Sequence, residues 1–276
     1  IRPGSGGSDP RAFTELWTGS KLLTIFAAND GTHGFELWVS DGTVAGTRML
    51  ELAPGASSPS LNELAAYRDR VFFSAVTVGG RRDLHVSDGT PAGTRRINPT
   101  VQLRLPRNMT EANGLLFFDA AASGTNTELW VTDGTDAGTR LVRDLRPGAA
   151  GSTFEDYVGT DCRLFFFVNN YDVGIELWTS DGTATGTRVV RNLMPGSGTG
   201  VLEGTLTRIP GTDRVVFVGS TGDDGWQLFE SDGTAAGTRQ LGKIGARRGA
   251  GAATIGHLTP FGSSLFFAAD SGPLGN

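Results

Sequence analysis

Cysteine occurs once in these 276 residues, as Cys162, which excludes an intrachain disulfide framework and a cysteine-rich metal site. Beside the apolar run Leu164 to Val168, this thiol is expected to be buried or half-buried rather than nucleophilic. Lysine is limited to Lys21 and Lys243. With a net charge of -5 and a pI near 5.3, the chain has no broad basic field, which argues against nucleic acid and anionic lipid as partners. No stretch approaches the roughly 20 apolar residues that cross a bilayer as a helix, so membrane insertion is not expected.

Histidine is equally sparse. His33, His85 and His257 stand at non-equivalent places without metal-ligand spacing, and are expected to be individually solvated. Neither a Gly-x-Ser-x-Gly nucleophile elbow nor a phosphate-cradling Gly-x-x-x-x-Gly-Lys-Ser/Thr run is present. The opening Ile1-Arg2-Pro3-Gly4 is neither an initiator nor a signal peptide, so a processed product or a fragment is expected.

What the chain has in abundance is glycine, 41 residues of it, much of it in one recurring string. Asp-Gly-Thr-x-x-Gly-Thr-Arg begins at Asp41, Asp88, Asp133, Asp181 and Asp232, at spacings of 47, 45, 48 and 51 residues. Each octad follows a short run that suits a pleated strand, such as Glu36-Leu37-Trp38-Val39-Ser40 or Glu176-Leu177-Trp178-Thr179-Ser180. Another short run comes after it, so the octad reads as a hairpin loop. Upstream in each unit lies a continuous apolar run: Leu22 to Ala27, Val71 to Ala75, Leu115 to Ala120, Leu164 to Val168, Val215 to Val218 and Leu265 to Ala269. Such runs predict a strand covered on both faces. A weaker strand precedes each.

Four strands at a period of 40 to 50 residues predict the blade of an all-β propeller, stacked on its neighbours because no blade can bury both faces alone. The predicted units are 1–51, 52–98, 99–144, 145–192, 193–243 and a partial 244–276, forming one domain of six blades, or part of a larger ring. In the partial unit two strands are expected, with a further segment or chain completing the sheet; residues upstream of Ile1 are one expected source.

The strings Glu36-Leu37-Trp38-Val39-Ser40-Asp41-Gly42-Thr43 and Glu128-Leu129-Trp130-Val131-Thr132-Asp133-Gly134-Thr135 resemble the bacterial ELWxxDGT repeat family, in five copies spread over essentially the whole chain. The resemblance implies a secreted, cell-surface or periplasmic propeller-type protein, and no particular activity. His85 and Phe229 stand where the repeat otherwise has Trp.

The repeated acids Asp41, Asp88, Asp133, Asp181 and Asp232 are expected to fix the turn by accepting backbone N–H groups, with Gly supplying φ > 0 and Thr and Arg completing the local network, as Arg48 does for Asp41. The competing use is Ca²⁺ binding, for which one carboxylate per loop is few; Asp30, Asp223 and Asp224 are the better local candidates. Trp38, Trp130 and Trp178 read as interblade packing. Trp17 and Trp226, outside the repeated position, are the expected ligand-facing aromatics. The composite expectation is a noncatalytic binding or scaffold module for a protein or glycan. Its rivals are a polysaccharide hydrolase or lyase using Asp30, Asp172 or Asp223, and a purely structural surface component.

Overall fold

The computed structural model describes residues 1–53, 58–76, 80–98, 100–122, 125–148, 151–196, 198–222, 225–242, 255–262 and 264–269. No helix occurs among them, and their strands form antiparallel sheets. The first sheet is β1 (Arg11–Trp17), β2 (Leu22–Asn29), β3 (Phe35–Ser40) and β4 (Arg48–Leu50), in that order. The second holds β5 (Asn62–Tyr67), β6 (Arg70–Val76), β7 (Arg82–Ser87) and β8 (Arg95–Arg96), and the third β9 (Arg104–Ala112), β10 (Leu115–Ala122), β11 (Thr125–Thr132) and β12 (Arg140–Arg143). The fourth holds β13 (Thr153–Gly159), β14 (Leu164–Asn169), β15 (Ile175–Ser180) and β16 (Arg188–Val189). The fifth holds β17 (Thr207–Arg208), β18 (Val215–Gly219), β19 (Gln227–Ser231) and β20 (Arg239–Gln240); β21 (Ile255–Phe261) and β22 (Ser264–Ala269) make a two-stranded sixth. Four-stranded meanders recurring along the chain are propeller blades.

The apolar runs form the second strand of every blade, as their pattern predicts. Phe72, Phe73, Phe165, Phe166 and Phe217 are fully buried. The repeat's aromatic lies directly opposite this strand: Phe26 pairs with Trp38, Phe73 with His85, Phe166 with Trp178 and Phe217 with Phe229. Trp38 and Trp130 satisfy their indole N–H groups on the carbonyls of Ala28 and Ala120, both at 3.0 Å, so a polar donor is buried without loss.

The sixth copy departs from the expectation of two covered faces. Phe266 is 60% and Phe267 38% exposed, because among the described residues β22 has a partner strand, β21, on one edge only.

First strands other than β17 share a feature with no sequence signature. Ala12, Glu63, Asn108, Asp156 and His257 have φ between 45° and 58°, and the register slips at this point in β1, β5, β13 and β21. A bulge there bends the strand and sharpens its twist.

The chain makes two compact units, one of Ile1–Met109, Phe118–Asn126 and Trp130–Arg140, the other of Thr110–Phe117, Thr127–Leu129 and Leu141–Asn276. In the first, Leu16, Ile25, Leu37, Val39 and Leu50 of one sheet meet Val71, Phe73 and Ala75 of the next. In the second, Phe165, Phe167 and Leu177 pack with Val201, Val215, Phe217 and Phe229. Within each unit, apolar faces of neighbouring sheets thus bury one another, the condition that stacking requires.

Candidate functional site

The five octads fold into one loop, residue by residue. Asp41 Oδ1 accepts the backbone N–H of Thr43 at 3.0 Å and its hydroxyl at 2.7 Å. The Thr43 hydroxyl accepts the N–H of Gly46 at 2.9 Å, and its carbonyl accepts the hydroxyl of Thr47 at 2.6 Å. The same contacts surround Asp88, Asp133, Asp181 and Asp232. The first glycine has φ between 84° and 97°, a region closed to most side chains. The second lies against the carboxylate, so that a Cβ on Gly46, Gly93, Gly138, Gly186 or Gly237 would overlap the Asp. Hydrogen bonds from the hydroxyl and then the amide of Thr135 hold Asp133 below the usual carboxylate range.

The octad arginine does not complete its own loop. Arg48 donates to the carbonyl of Gly89 at 2.7 Å, in the octad of the following sheet, rather than to Asp41; Lys21 pairs with Asp41 instead. Arg188 likewise reaches the carbonyl of Gly233 at 3.2 Å, and Arg95 the carboxylate of Asp136 at 2.6 Å. A cation projecting from a fourth strand is aimed along the strand row, toward the next blade, where the carbonyl of a buried glycine or a carboxylate accepts its N–H. The following octad also packs on the preceding sheet: Gly89 lies against Leu23 and Val39, Gly134 against Phe72, and Gly182 against Leu115 and Phe117.

A second repeated acid is buried. Glu36, Glu128 and Glu176 are at most 2% exposed, and their carboxylates accept backbone N–H groups from the connector after the fourth strand. Glu36 takes Leu52 at 2.8 Å, Glu128 takes Leu145 at 2.9 Å, and Glu176 takes Leu193 and Met194 at 3.1 Å. Burial outweighs these hydrogen bonds and pushes each carboxyl up to about 7. Asp83 fills this position in the second sheet with Arg81 and Arg96 beside it, and Gln227 fills it in the fifth.

The bulged first strands supply a third set of acids that sequence reasoning missed. Asp156 Oδ2 accepts the N–H groups of Thr205 and Leu206 at 2.9 and 3.2 Å, and Glu63 is hydrogen-bonded by the N–H groups of Asn108 and Met109. Both acids reach one sheet onward. Residue type at the bulge varies from Ala to His, so no pattern could have exposed it.

Asp30 caps its own loop, accepting the N–H groups of Thr32 and His33 at 2.8 Å and contacting His33 Nδ1 at 2.7 Å, with its carboxyl well below the ordinary range. Asn170 takes the same two backbone bonds in the fourth sheet, from Asp172 and Val173. An amide replacing the acid in the equivalent loop identifies a turn former. Asp172 is exposed, with Arg146 4.0 Å away. Asp223 and Asp224 lie outside the described residues. His33 thus has a carboxylate partner, and His85 is buried and stacked on Phe73 at 5.4 Å, so the expectation of three solvated histidines holds only for His257. Burial lowers the His85 imidazole from its usual value. Cys162 is exposed rather than buried, since it sits in the turn between β13 and β14 where its N–H bonds Asp213 at 3.2 Å.

Trp38, Trp130 and Trp178 are buried, whereas Trp17 is 56% exposed at the end of β1, opposite the 50% exposed Leu22. Trp226 is half-buried. Trp17 and Leu22 form an apolar cross-strand pair open to solvent at a hairpin end. No group of three or more metal-ligating side chains stands together among the described residues.

No protein-family model matches the chain, and no curated protein matches it. Among solved structures it is similar to a puromycin hydrolase complexed with PGG, with a TM-score of 0.53 and 14% identity over 98% of this chain and 44% of that one. A structure described in a study of two prolyl endopeptidases gives 0.53 and 13%, over 95% of this chain and 40% of that one. A Mycobacterium tuberculosis puromycin-hydrolyzing peptidase gives 0.52 and 13%, over 94% and 43%. The chain spans less than half the length of each. At this identity the likeness concerns fold alone, and it agrees with the sheets: the class is all-β, a β-propeller of four-stranded antiparallel blades.

Proposed function

We propose that this chain is a noncatalytic binding or scaffold module of the ELWxxDGT kind, secreted or held at a bacterial surface, which recognises a protein or glycan through exposed hairpin ends and loops. One observation carries the reading. The repeated acids are spent on the framework, with the octad aspartates held by Thr and the buried glutamates by connector amides. Asp30, one of the catalytic and Ca²⁺ candidates, is tied to His33 and two amides, which leaves it a poor proton donor and a poor ligand. Trp17 and Leu22 pair across a hairpin end and both face solvent. A flat, rigid aromatic with an apolar neighbour suits stacking on a sugar face or anchoring a protein side chain.

The test is binding to a glycan array and to extracts of surface protein, with Trp17→Ala alongside. Binding should fall at least about tenfold in the variant, while thermal stability stays within about 0.5 kcal/mol, as expected for an exposed site. Retained binding by Trp17→Ala contradicts the assignment of this residue.

A further inference from the structure

The sixth sheet repeats the geometry of the others up to its second strand. In β21 the register slips between Gly256 and Thr259, as it does between Arg11 and Thr14 in β1, and His257 takes φ 55° where Ala12 has 54°. Ala268 pairs with Gly256 as Ala27 pairs with Arg11, which aligns β22 with β2. Phe267-Ala268-Ala269 therefore falls on Phe26-Ala27-Ala28, with the same three residues. In β2 these three pair with Trp38, Leu37 and Glu36 on the far edge. The far edge of β22 has no strand among the described residues.

The neighbouring sheet carries an independent mark of the same gap. A cavity of about 240 Å³ lies between the fifth and sixth sheets, lined by Val216, Leu228 and Glu230 on one side and Pro260, Leu265 and Phe267 on the other. Val216 corresponds to Phe72 and Phe117, and Glu230 to Val39, which in their own sheets hold the first glycine of the following octad. Arg239 corresponds to Arg48 and Arg188, which donate to that glycine's carbonyl. Here it turns back on Glu230 instead.

From these observations we infer that β22 and the cavity beside it are the receptor for one further hairpin of this same repeat, a Glu-Leu-aromatic strand followed by its octad. The incoming strand runs antiparallel to β22, its aromatic opposite Phe267, its Leu opposite Ala268 and its acid opposite Ala269. An incoming Trp donates its indole N–H to the carbonyl of Ala269, as Trp38 does to Ala28. The octad's first glycine enters the cavity against Val216, and Arg239 swings from Glu230 to that glycine's carbonyl. Main-chain pairing supplies the affinity and the Leu-aromatic pattern the specificity. The half-exposed Phe267 becomes as buried as Phe166 and Phe217.

The full chain is extended after Asn276 by a flexible linker and a copy of residues 175–191, and compared with the same extension in which the counterparts of Leu177 and Trp178 are serine. Tethering places the hairpin at an effective concentration of order millimolar. Amide exchange at residues 264–269 should slow by at least about tenfold with the native hairpin and remain unchanged with the serine version. Equal exchange in the two fusions overturns the inference. So does protection of these amides in the unextended chain that rises with its own concentration, since a second copy would then be the occupant of the edge.

Discussion

Gly138→Ala should destabilise the protein by about 2–3 kcal/mol, and Asp133→Ala should relieve most of that cost when the two are combined. The added methyl meets the Asp133 carboxylate, which cannot retreat because the amide and hydroxyl of Thr135 hold it. Asp133→Ala alone frees those two donors and the loop they anchor, at a cost of about 1–2 kcal/mol. The pair is therefore strongly non-additive, and urea unfolding of the wild type, both single variants and the double variant measures it. Additive costs would show that the second glycine is needed for some reason other than the carboxylate beside it.

Stability should fall as the pH rises from about 5 to 8, and the triple variant E36Q/E128Q/E176Q should lose most of that slope. The three glutamates titrate near 7 in the folded chain, against 4.5 for an ordinary glutamate. Between those values the native state holds protons that the unfolded chain has released. Their contribution is complete below the unfolded value and is lost as the pH climbs through about 7, by on the order of 1–3 kcal/mol per group. The octad acids run the other way. Asp133 and Asp232 are lowered, first by the Thr135 and Thr234 hydroxyls, so their contribution is present above the ordinary aspartate value and is lost as the pH falls through their folded values. The two sets together place the stability maximum near the ordinary carboxylate range. Gln227, buried at this position in the fifth sheet, shows that an amide fits there. Urea midpoints at pH 5 and pH 8 decide the matter; an unchanged slope in the triple variant contradicts the role given to these acids.

Much of the fold could be read directly. Five octads in register announce the hairpins, and the apolar runs mark each second strand because only a strand buried on both faces has so little use for polar residues. The partner of each octad arginine could not be read. In a tandem repeat the distance from Arg48 to its own Asp41 and to the next loop follows the same period, so sequence cannot separate a bond within the blade from one between blades. The bulges were hidden because Ala12, Glu63, Asn108, Asp156 and His257 share a backbone angle and no chemistry. His85 was misjudged by residue type: its position is the repeat's aromatic position, and the ring packs on Phe73 as Trp38 packs on Phe26. Of the site, Trp17 stood out by lying off the repeat, whereas Asp30 became interpretable only beside Asn170, whose amide makes the same turn.

The framework role of the octad acids is tested most directly by native-state hydrogen exchange at the backbone amides of Thr43, Thr90, Thr135, Thr183 and Thr234. All five residues are exposed, yet each N–H is held by an Asp carboxylate at 2.8 to 3.0 Å. These amides should exchange far more slowly than the exposed loop amides around them, and protection should vanish in acid as the aspartates are protonated. Exchange at open-loop rates in all five, at neutral pH, would mean that the carboxylates are free for something else.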